Sequence, residues 1–231
     1  MRKLLAILLA LAMVMSLAAC GSEPADDDKK DKDNKKEVVE TTEEPTEEET
    51  TEPVTEEIPE QICRGVINGD AYVNPYIGLK FTKPSEWTYS TDEEIAATLG
   101  IGLEALNAPD GYAELLEEMG SVYDMRVEDG DGISSVMVLI EKPNGIEAEA
   151  YLNMLVQGLE YQSAVSYTQI GEYETVSLGR NDYVKATFSA TASGVTMQQA
   201  YYVCNVNEYT VTVISTVFGE VTLESVEAMF S

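Results

Sequence analysis

Residues 173–217 read YETVSLGRNDYVKATFSATASGVTMQQAYYVCNVNEYTVTVISTV, and this stretch decides the fold. It holds four segments rich in Val, Thr and Tyr, and the short breaks GRND, ASG and NVNE between them are rich in turn-forming residues. The predicted strands are 173–178, 183–190, 195–204 and 209–217. Because short turns join neighbouring antiparallel strands, the stretch predicts a four-stranded meander.

Residues of like character alternate along the last two of these strands. Met197, Tyr201 and Val203 share one parity in the third strand, and Val211 and Val213 share one in the fourth. Side chains of one parity lie on one face of a sheet. We therefore expect one polar face towards solvent and one apolar face that helices cover.

Shorter strands and helices are predicted on either side of the meander. Their expected order is strands 62–67 and 77–82 around a loop, a helix capped at Thr91, a short helix within 109–119, a hairpin of 121–127 and 133–141, a helix over 147–162 and a C-terminal helix over 222–230. The first helix begins with a capping box from Thr91 to Glu94, and Ile95 and Leu99 follow at helical spacing. Antiparallel strands with helices between and after them predict a single α+β domain over residues 61–231.

This order of elements resembles the PsbP/Mog1-like fold. So does the run YIGLKF at 76–81 followed by PSEW at 84–87, which is similar to the opening of many small bacterial lipoprotein domains of that group. The resemblance implies an antiparallel sheet with helices packed on it. It carries no catalytic residue across, because the group ranges over photosystem subunits, nuclear transport factors and envelope lipoproteins. A cystatin-like or NTF2-like α+β cone is the alternative fold.

The first 19 residues have the parts of a secretory signal peptide. Arg2 and Lys3 precede an apolar or small run over residues 4–19. This run is shorter than the roughly 20 residues that a helix needs to cross a bilayer. We expect residues 1–19 to be removed on export. A permanent N-terminal membrane helix is the alternative.

The end of that run, Leu17-Ala18-Ala19-Cys20-Gly21, resembles the lipobox of bacterial lipoproteins. The resemblance implies cleavage before Cys20 and a lipidated Cys20 thiol that anchors the chain on the extracytoplasmic side of the cell membrane. Two acyl chains give stable anchoring where one is marginal. The alternative is an unmodified cysteine that follows an ordinary signal peptide by chance.

Residues 20–60 are predicted to form a disordered tether. Residues 21–60 are built from Thr, Glu, Pro, Asp and Lys, with 17 acidic and 5 basic side chains and almost no large apolar ones. Such a segment buries too little apolar surface to offset the entropy lost on ordering, and like charges extend it. We expect it to act as a spacer between membrane and domain.

The charge of the whole chain excludes one class of partner. Its formal net charge is −28, with 42 acidic and 14 basic residues. Nucleic-acid binding needs basic patches, so we expect no nucleic-acid partner. The same charge argues against a second, electrostatic contact with an anionic membrane.

Several kinds of catalysis are excluded by residue type. The chain has no His, which rules out Ser-His-Asp and Cys-His nucleophile systems. It also has no GxxxxGK[ST] or GxGxxG motif for nucleotide phosphates. We therefore expect a protein that is not an enzyme and has no cofactor. Catalysis by two carboxyl groups alone is the open alternative.

Two sets of residues are candidates for a cation site and for a disulfide. Asp129 and Asp131 alternate with Gly in the sequence EDGDG and are weak candidates for a cation site, with an exposed hairpin turn as the alternative. Cys63 and Cys204 are the possible disulfide in an oxidising compartment, with two buried thiols as the alternative.

Aromatic residues are the remaining candidates for binding. Tyr183, Tyr201, Tyr202 and Tyr209 lie on neighbouring predicted strands and are expected either to form a sheet-face patch for a partner or to be ordinary cross-strand pairs. Trp87 is either a ligand-stacking ring or a core residue.

The sequence thus predicts a membrane-anchored lipoprotein that acts as a non-enzymatic binding or accessory module for another envelope protein. A small-molecule or cation-binding lipoprotein is the alternative.

Overall fold

The computed structural model describes residues 58–107, 111–142 and 145–231. The strands are β1 (Val66–Asn68), β2 (Ala71–Asn74), β3 (Leu79–Thr82), β4 (Thr88–Tyr89), β5 (Ser121–Glu128), β6 (Ser135–Glu141), β7 (Ser166–Leu178), β8 (Asn181–Ala192), β9 (Val195–Val206) and β10 (Tyr209–Val217). The helices are α1 (Asp92–Leu99), α2 (Leu103–Leu106), α3 (Tyr112–Met119), α4 (Ala148–Leu159) and α5 (Leu223–Glu227). The predicted signal peptide, Cys20 and most of the predicted tether lie outside the described residues.

Two antiparallel sheets form the framework. The large sheet has the order β4-β5-β6-β10-β9-β8-β7, and the small sheet has the order β1-β2-β3. All their strand pairs are antiparallel. With five helices among these strands, the α+β class predicted from the sequence is confirmed.

The meander is present, but its first strand starts earlier than predicted. β7 begins at Ser166 instead of residue 173, and its register with β8 shifts between Ile170 and Glu174. Gly171 has a φ of +72° at this shift, a conformation that glycine adopts without steric cost. The bulge interrupts the alternation of side chains. The first half of the strand could therefore not be predicted from the alternating sequence pattern.

The expectation of one solvent-facing sheet face is wrong for the centre of the sheet. Every residue of β10 is buried, including Thr210, Thr212 and Thr216. Helix α4 packs on one face, and the small sheet with α1, α2, α3 and α5 packs on the other. Threonine serves in such positions because its methyl group packs well on a pleated surface.

The core accordingly has two main parts. On the face towards the small sheet, its largest fully buried side chains include Tyr72, Phe81 and Tyr202. On the α4 face, Leu152 and Leu159 pack against Ala186, Phe188, Tyr201, Val203 and Ile214.

The small sheet contains a strand that was predicted to be a loop. β2 pairs with both β1 and β3, and its Tyr72 is fully buried. The chain end completes this sheet, because the backbone N–H and C=O of Ser231 both bond to Lys80 beside β3. Phe230 stacks on Phe81 with ring centroids 4.9 Å apart.

The helices mostly follow their sequence signals. The capping box of Thr91 and Glu94 is present at the start of α1, which ends at Gly100 with a φ of +71°. Within the predicted helix 109–119 the structure describes α3, and α2 precedes it. No helix in the described part of the chain is long and apolar enough to cross a membrane.

Candidate functional site

An open groove lies between the C-terminal end of α4 and the first half of β7. Its volume is about 640 Å³. Leu159, Val165 and Phe188 supply apolar walls, and Ser166, Gln169 and Thr191 supply polar groups. Glu160 is the one charged residue of its lining within the described residues. A lining of this kind suits an uncharged ligand group or uncharged side chains.

A polar network lies beneath the groove. The Tyr167 hydroxyl is buried beside that of Tyr201, which donates to Gln199 over 2.8 Å. The amide of Gln199 donates to the Thr216 hydroxyl, also over 2.8 Å. Burial raises the pKa of Tyr167 to about 12 against the lowering effect of Tyr201. The floor of the groove is therefore uncharged at neutral pH.

Strand β7 forms an open edge beside this groove. It is 13 residues long and, within the described residues, pairs only with β8. Ser166 and residues 168–172 are exposed, and Ile170 retains 42% of its exposure. In an edge strand, every second residue turns its N–H and C=O away from the sheet. These groups are ready to pair with another strand.

Apart from Glu160, no charged residue lines the groove within the described residues, and the first half of β7, residues 166–170, is uncharged. Residues 161–171 and 186–207 contain no Asp, Glu, Lys or Arg, although 24% of the chain is charged. We call residues 161–171, together with residues 187–198 of β8, β9 and their turn, the open end. Charged residues are depleted at the centres of protein interfaces, so this composition favours a binding surface.

The rest of the described surface is strongly acidic. Residues 61–231 contain 25 acidic and 7 basic residues, and five of the basic ones form ion pairs in the described part of the chain. These are Arg64, Lys83, Arg126, Lys142 and Lys185. Lys185 is held between Glu174 and Glu227 at 2.7 and 2.8 Å. Most acidic side chains are consequently left without a basic partner.

Asp129 acts as a turn residue in the structure. Its carboxylate accepts the backbone N–H groups of Ile133 and Ser134 at 2.9 and 3.1 Å. These bonds hold the β5–β6 hairpin turn, and Asp131 is exposed. No group of three or more potential metal-ligating side chains occurs within the described residues.

The two cysteines of the domain are free thiols in the structure. Cys204 is buried in the core of the large sheet, and burial raises its pKa to about 12 against the lowering effect of a Tyr183 hydrogen bond. Burial also raises the pKa of Cys63, which lies at the margin of the same core. Both side chains are therefore protonated at neutral pH.

Of the two alternatives for the meander tyrosines, the surface patch is wrong. Tyr183 and Tyr202 are fully buried, and Tyr201 and Tyr209 are 6% exposed. Tyr201 faces α4 while the other three belong to the opposite core. Trp87 is 3% exposed and is a core residue. None of these rings is available to stack on a ligand.

A buried carboxylate that the sequence reading missed is Asp124, which is 1% exposed. It accepts hydrogen bonds from the Tyr72 hydroxyl, the Tyr112 hydroxyl at 2.7 Å and the Asn74 amide at 2.9 Å. It also accepts the backbone N–H of Gly65 at 3.0 Å. These four donors join β2 and α3 to the large sheet, which indicates a structural role.

The signal for this residue is a change of parity in β5. Val122 is buried at an even position, while Met125 and Val127 are buried at odd positions. The register with β6 shifts between Tyr123 and Met125. Asp124 shares the inward parity of Val122, and the bulge places Met125 on the same face, so the buried positions are odd after it.

A half-buried carboxylate, Glu141, lies on the opposite face of the sheet. Burial raises the pKa of Glu141, which accepts a hydrogen bond from Tyr151 of α4. Asp124 faces the small sheet, so these two carboxyl groups do not meet in one cleft. A pair of carboxyl groups that flank one bond, as in glycosidases, is not formed by these two residues.

No family model and no curated protein matches the chain. Among solved structures, it is similar to the solution structure of cyanobacterial PsbP (CyanoP) from Synechocystis, at 14% identity over 75% of this chain and 98% of that chain, with a TM-score of 0.44. It is also similar to a crystal structure from Bacteroides thetaiotaomicron, at 15% identity over 71% of this chain and 47% of that chain, with a TM-score of 0.33. The α+β class follows from the strand pairing and the helices of this chain itself.

Proposed function

We propose that this protein is a lipid-anchored module on the extracytoplasmic side of the cell membrane that binds another envelope protein without catalysing a reaction. The observation that carries the binding function is the open end, where a groove, an exposed strand edge and a charge-free surface coincide. Binding and accessory roles need such a surface and no reactive group.

The anchor and the tether support this location. Residues 17–21, LAACG, place Cys20 where a lipoprotein cysteine stands. A neutral flexible chain of the tether's length would span roughly 35 Å, and its acidic charge extends it further. The domain would therefore reach partners well above the membrane surface while remaining attached to it.

Residue types support a function without catalysis. The chain lacks His, and its two cysteines beyond Cys20 are protonated at neutral pH by burial. The buried Asp124 and the half-buried Glu141 accept hydrogen bonds from tyrosine hydroxyls on opposite faces of the sheet.

The anchor is tested by metabolic labelling of the full-length chain with a clickable fatty acid. We expect Cys20→Ser to abolish labelling and release the protein from membranes, while Cys63→Ser, the matched control, leaves both unchanged. Labelling that persists in Cys20→Ser contradicts the anchor.

The binding function is tested by crosslinking in intact membranes. The full-length protein should form specific adducts with at least one other envelope protein that survive stringent washing. A chain that stays monomeric and forms no adduct from any surface position contradicts the binding function.

Small-molecule binding is a second candidate, which the groove of about 640 Å³ favours. Its walls would suit a neutral, partly apolar metabolite. Calorimetry of the full-length chain against Ca²⁺ and a panel of neutral metabolites tests it. Saturable heat that is lost in Phe188→Ala supports this candidate, and a flat response removes it.

A further inference from the structure

We propose that β7 accepts an extended segment of the partner protein as an added strand, and that this segment is uncharged in its middle and flanked by Lys or Arg. The inference rests on the proposed function, since it specifies the partner of the same surface. Its basis is the juxtaposition of an unpaired strand edge, a groove beside it and acidic residues at both ends of the charge-free run.

The edge of β7 is the longest open one in the described part of the molecule. At the other side of the large sheet, β4 has only two residues. In the small sheet, β1 has three residues, and the chain end pairs with β3. The 13 residues of β7 offer backbone groups over a length that a bound segment of several residues needs.

The first half of this edge lacks the usual protection against pairing. Proteins protect edge strands with charges, prolines or bulges. Residues 166–170 contain no charge and no proline, whereas the bulge at Gly171 and the charges of Glu172 and Glu174 protect the second half. The unprotected half is the part that lies beside the groove.

The groove would give such a segment its specificity. In strand addition, backbone hydrogen bonds supply affinity and pockets for alternate side chains supply specificity. Side chains of an added strand on the α4 face would lie next to Val165 and Phe188. A volume of about 640 Å³ accommodates more than one such side chain.

The charge around this edge favours a partner segment with basic flanks over a second copy of the same chain. Two copies of the chain would repel each other, because residues 61–231 carry 25 acidic and 7 basic residues. Glu160 and Glu172 bracket the charge-free residues 161–171, and neither forms an ion pair within the described residues. Basic flanks on a partner segment would meet these two carboxylates. An uncharged middle avoids a desolvated, unpaired charge opposite β7.

The test is site-specific photocrosslinking of the full-length chain in the membranes of its native host. Benzoylphenylalanine replaces Thr168 on β7 or, as the control position, Glu93 on α1. We expect adducts from position 168 and not from position 93. Mass spectrometry should place the adducts on one continuous partner segment with Lys or Arg at its ends, and binding should slow hydrogen exchange over residues 166–170.

Proline substitutions separate edge pairing from other contacts. Adjacent N–H groups of a strand point alternately towards its neighbour and away from it. One of Thr168→Pro and Gln169→Pro therefore removes an outward donor without breaking the ladder to β8. For these variants the benzoylphenylalanine is moved to Ile170, which is exposed on the same half of β7. The variant that keeps its circular dichroism spectrum should lose at least tenfold in adduct yield from position 170, while Thr168→Ala and Gln169→Ala retain the yield.

Several results would overturn the inference. They are equal adducts from positions 93 and 168, unchanged yield in the folded proline variant, an acidic partner segment, a crosslinked homodimer, or an internal adduct between position 168 and the tether. Adducts formed only through other surfaces overturn strand addition and leave the proposed function standing. Absence of adducts from every position contradicts both.

Discussion

The two sides of the large sheet differ in whether their polar groups are paired inside the protein or exposed to solvent. On the β5 side, the buried Asp124 carboxylate accepts four donors from Gly65, Tyr72, Asn74 and Tyr112. On the β7 side, an edge of 13 residues keeps outward backbone groups in contact with solvent. Polar groups are thus paired inside the protein on one side and exposed to solvent on the other.

Because of this difference, we expect the β5 side of the sheet to contribute more to the stability of the fold than the β7 side. Buried, fully paired polar networks fix a unique arrangement, and their disruption is costly. Exposed edges contribute little to stability and tolerate change, which is where binding surfaces usually lie. Substitutions of similar size should therefore have large effects on the β5 side and small effects at the open end.

The largest effect is expected for Asp124→Ala, which leaves four buried donors without their acceptor. Each unsatisfied buried group costs about 1–3 kcal/mol, and partial relaxation makes a total loss of about 3–5 kcal/mol reasonable. Urea unfolding of the full-length chain measures it. Asp124→Asn keeps the shape and one acceptor oxygen, so its loss should be smaller.

Asp129→Ala is the matched control on an exposed turn. Its carboxylate accepts two backbone N–H groups, whereas that of Asp124 accepts four donors. We expect a loss of about 1 kcal/mol. Equal losses for Asp124→Ala and Asp129→Ala would break the comparison between the two sides.

Gly65→Ala should have the next largest effect. A Cβ at this position would collide with the ring of Tyr72 and lie 2.7 Å from the Asp124 carboxylate. Overpacking of this kind costs about 1–3 kcal/mol. In the control Gly158→Ala, the new Cβ in α4 meets no atom within 4 Å, so stability should rise by about 0.5–1 kcal/mol. A neutral Gly65→Ala would show that the β5 side is more adaptable than its hydrogen bonds indicate.

The sequence was sufficient to predict the elements whose signals are local. The turn residues of the meander and the capping box at Thr91 mark their elements without help from the rest of the fold. β2 and the first half of β7 were not predicted from the sequence, because the features that make them strands are not local. β2 has four residues that owe their place to pairing with β1 and β3, and the bulge at Gly171 breaks the alternation in β7.

The candidate site could be predicted only in part. The charge-free stretches 161–171 and 186–207 are visible in the sequence, yet the groove depends on where the end of α4 lies against β7 and β8. The sequence left a surface patch and ordinary cross-strand pairs open for the meander tyrosines, because parity shows which residues share a face but not what covers that face. In the structure α4 covers Tyr201, and the opposite core encloses Tyr183, Tyr202 and Tyr209.

A further prediction concerns the loss of stability at alkaline pH, where tyrosines ionise. Burial, and next the Asp124 charge, raise the pKa of Tyr72 and Tyr112 well above the usual value of about 10. A folded-state pKa above the unfolded one gives stability that is complete below pH 10 and declines as the pH rises beyond it, by about 1.4 kcal/mol per tyrosine per pH unit. Unfolding free energies from pH 7 to 11 measure this decline.

Variants identify the source of that decline. Tyr72→Phe should reduce the slope above pH 10, because it removes a phenol that is fully buried in the folded state. The chain has no His, and the decline should begin at about pH 8.5, where unfolded cysteine ionises while burial holds the pKa of Cys204 at about 12. An unchanged slope in Tyr72→Phe would show that Tyr72 does not contribute to the alkaline loss.

The smallest effect is expected at the open end itself. Thr168 and Gln198 are exposed on β7 and β9, and neither makes a side-chain hydrogen bond within the described residues. Thr168→Ala and Gln198→Ala should each change the free energy of unfolding by less than about 0.5 kcal/mol. Urea unfolding measures this in the same series as Asp124→Ala. A loss above about 1.5 kcal/mol at either position would mean that side chains of the open end stabilise the folded core. Such a surface is poorly suited to exchange its bound water for an added strand.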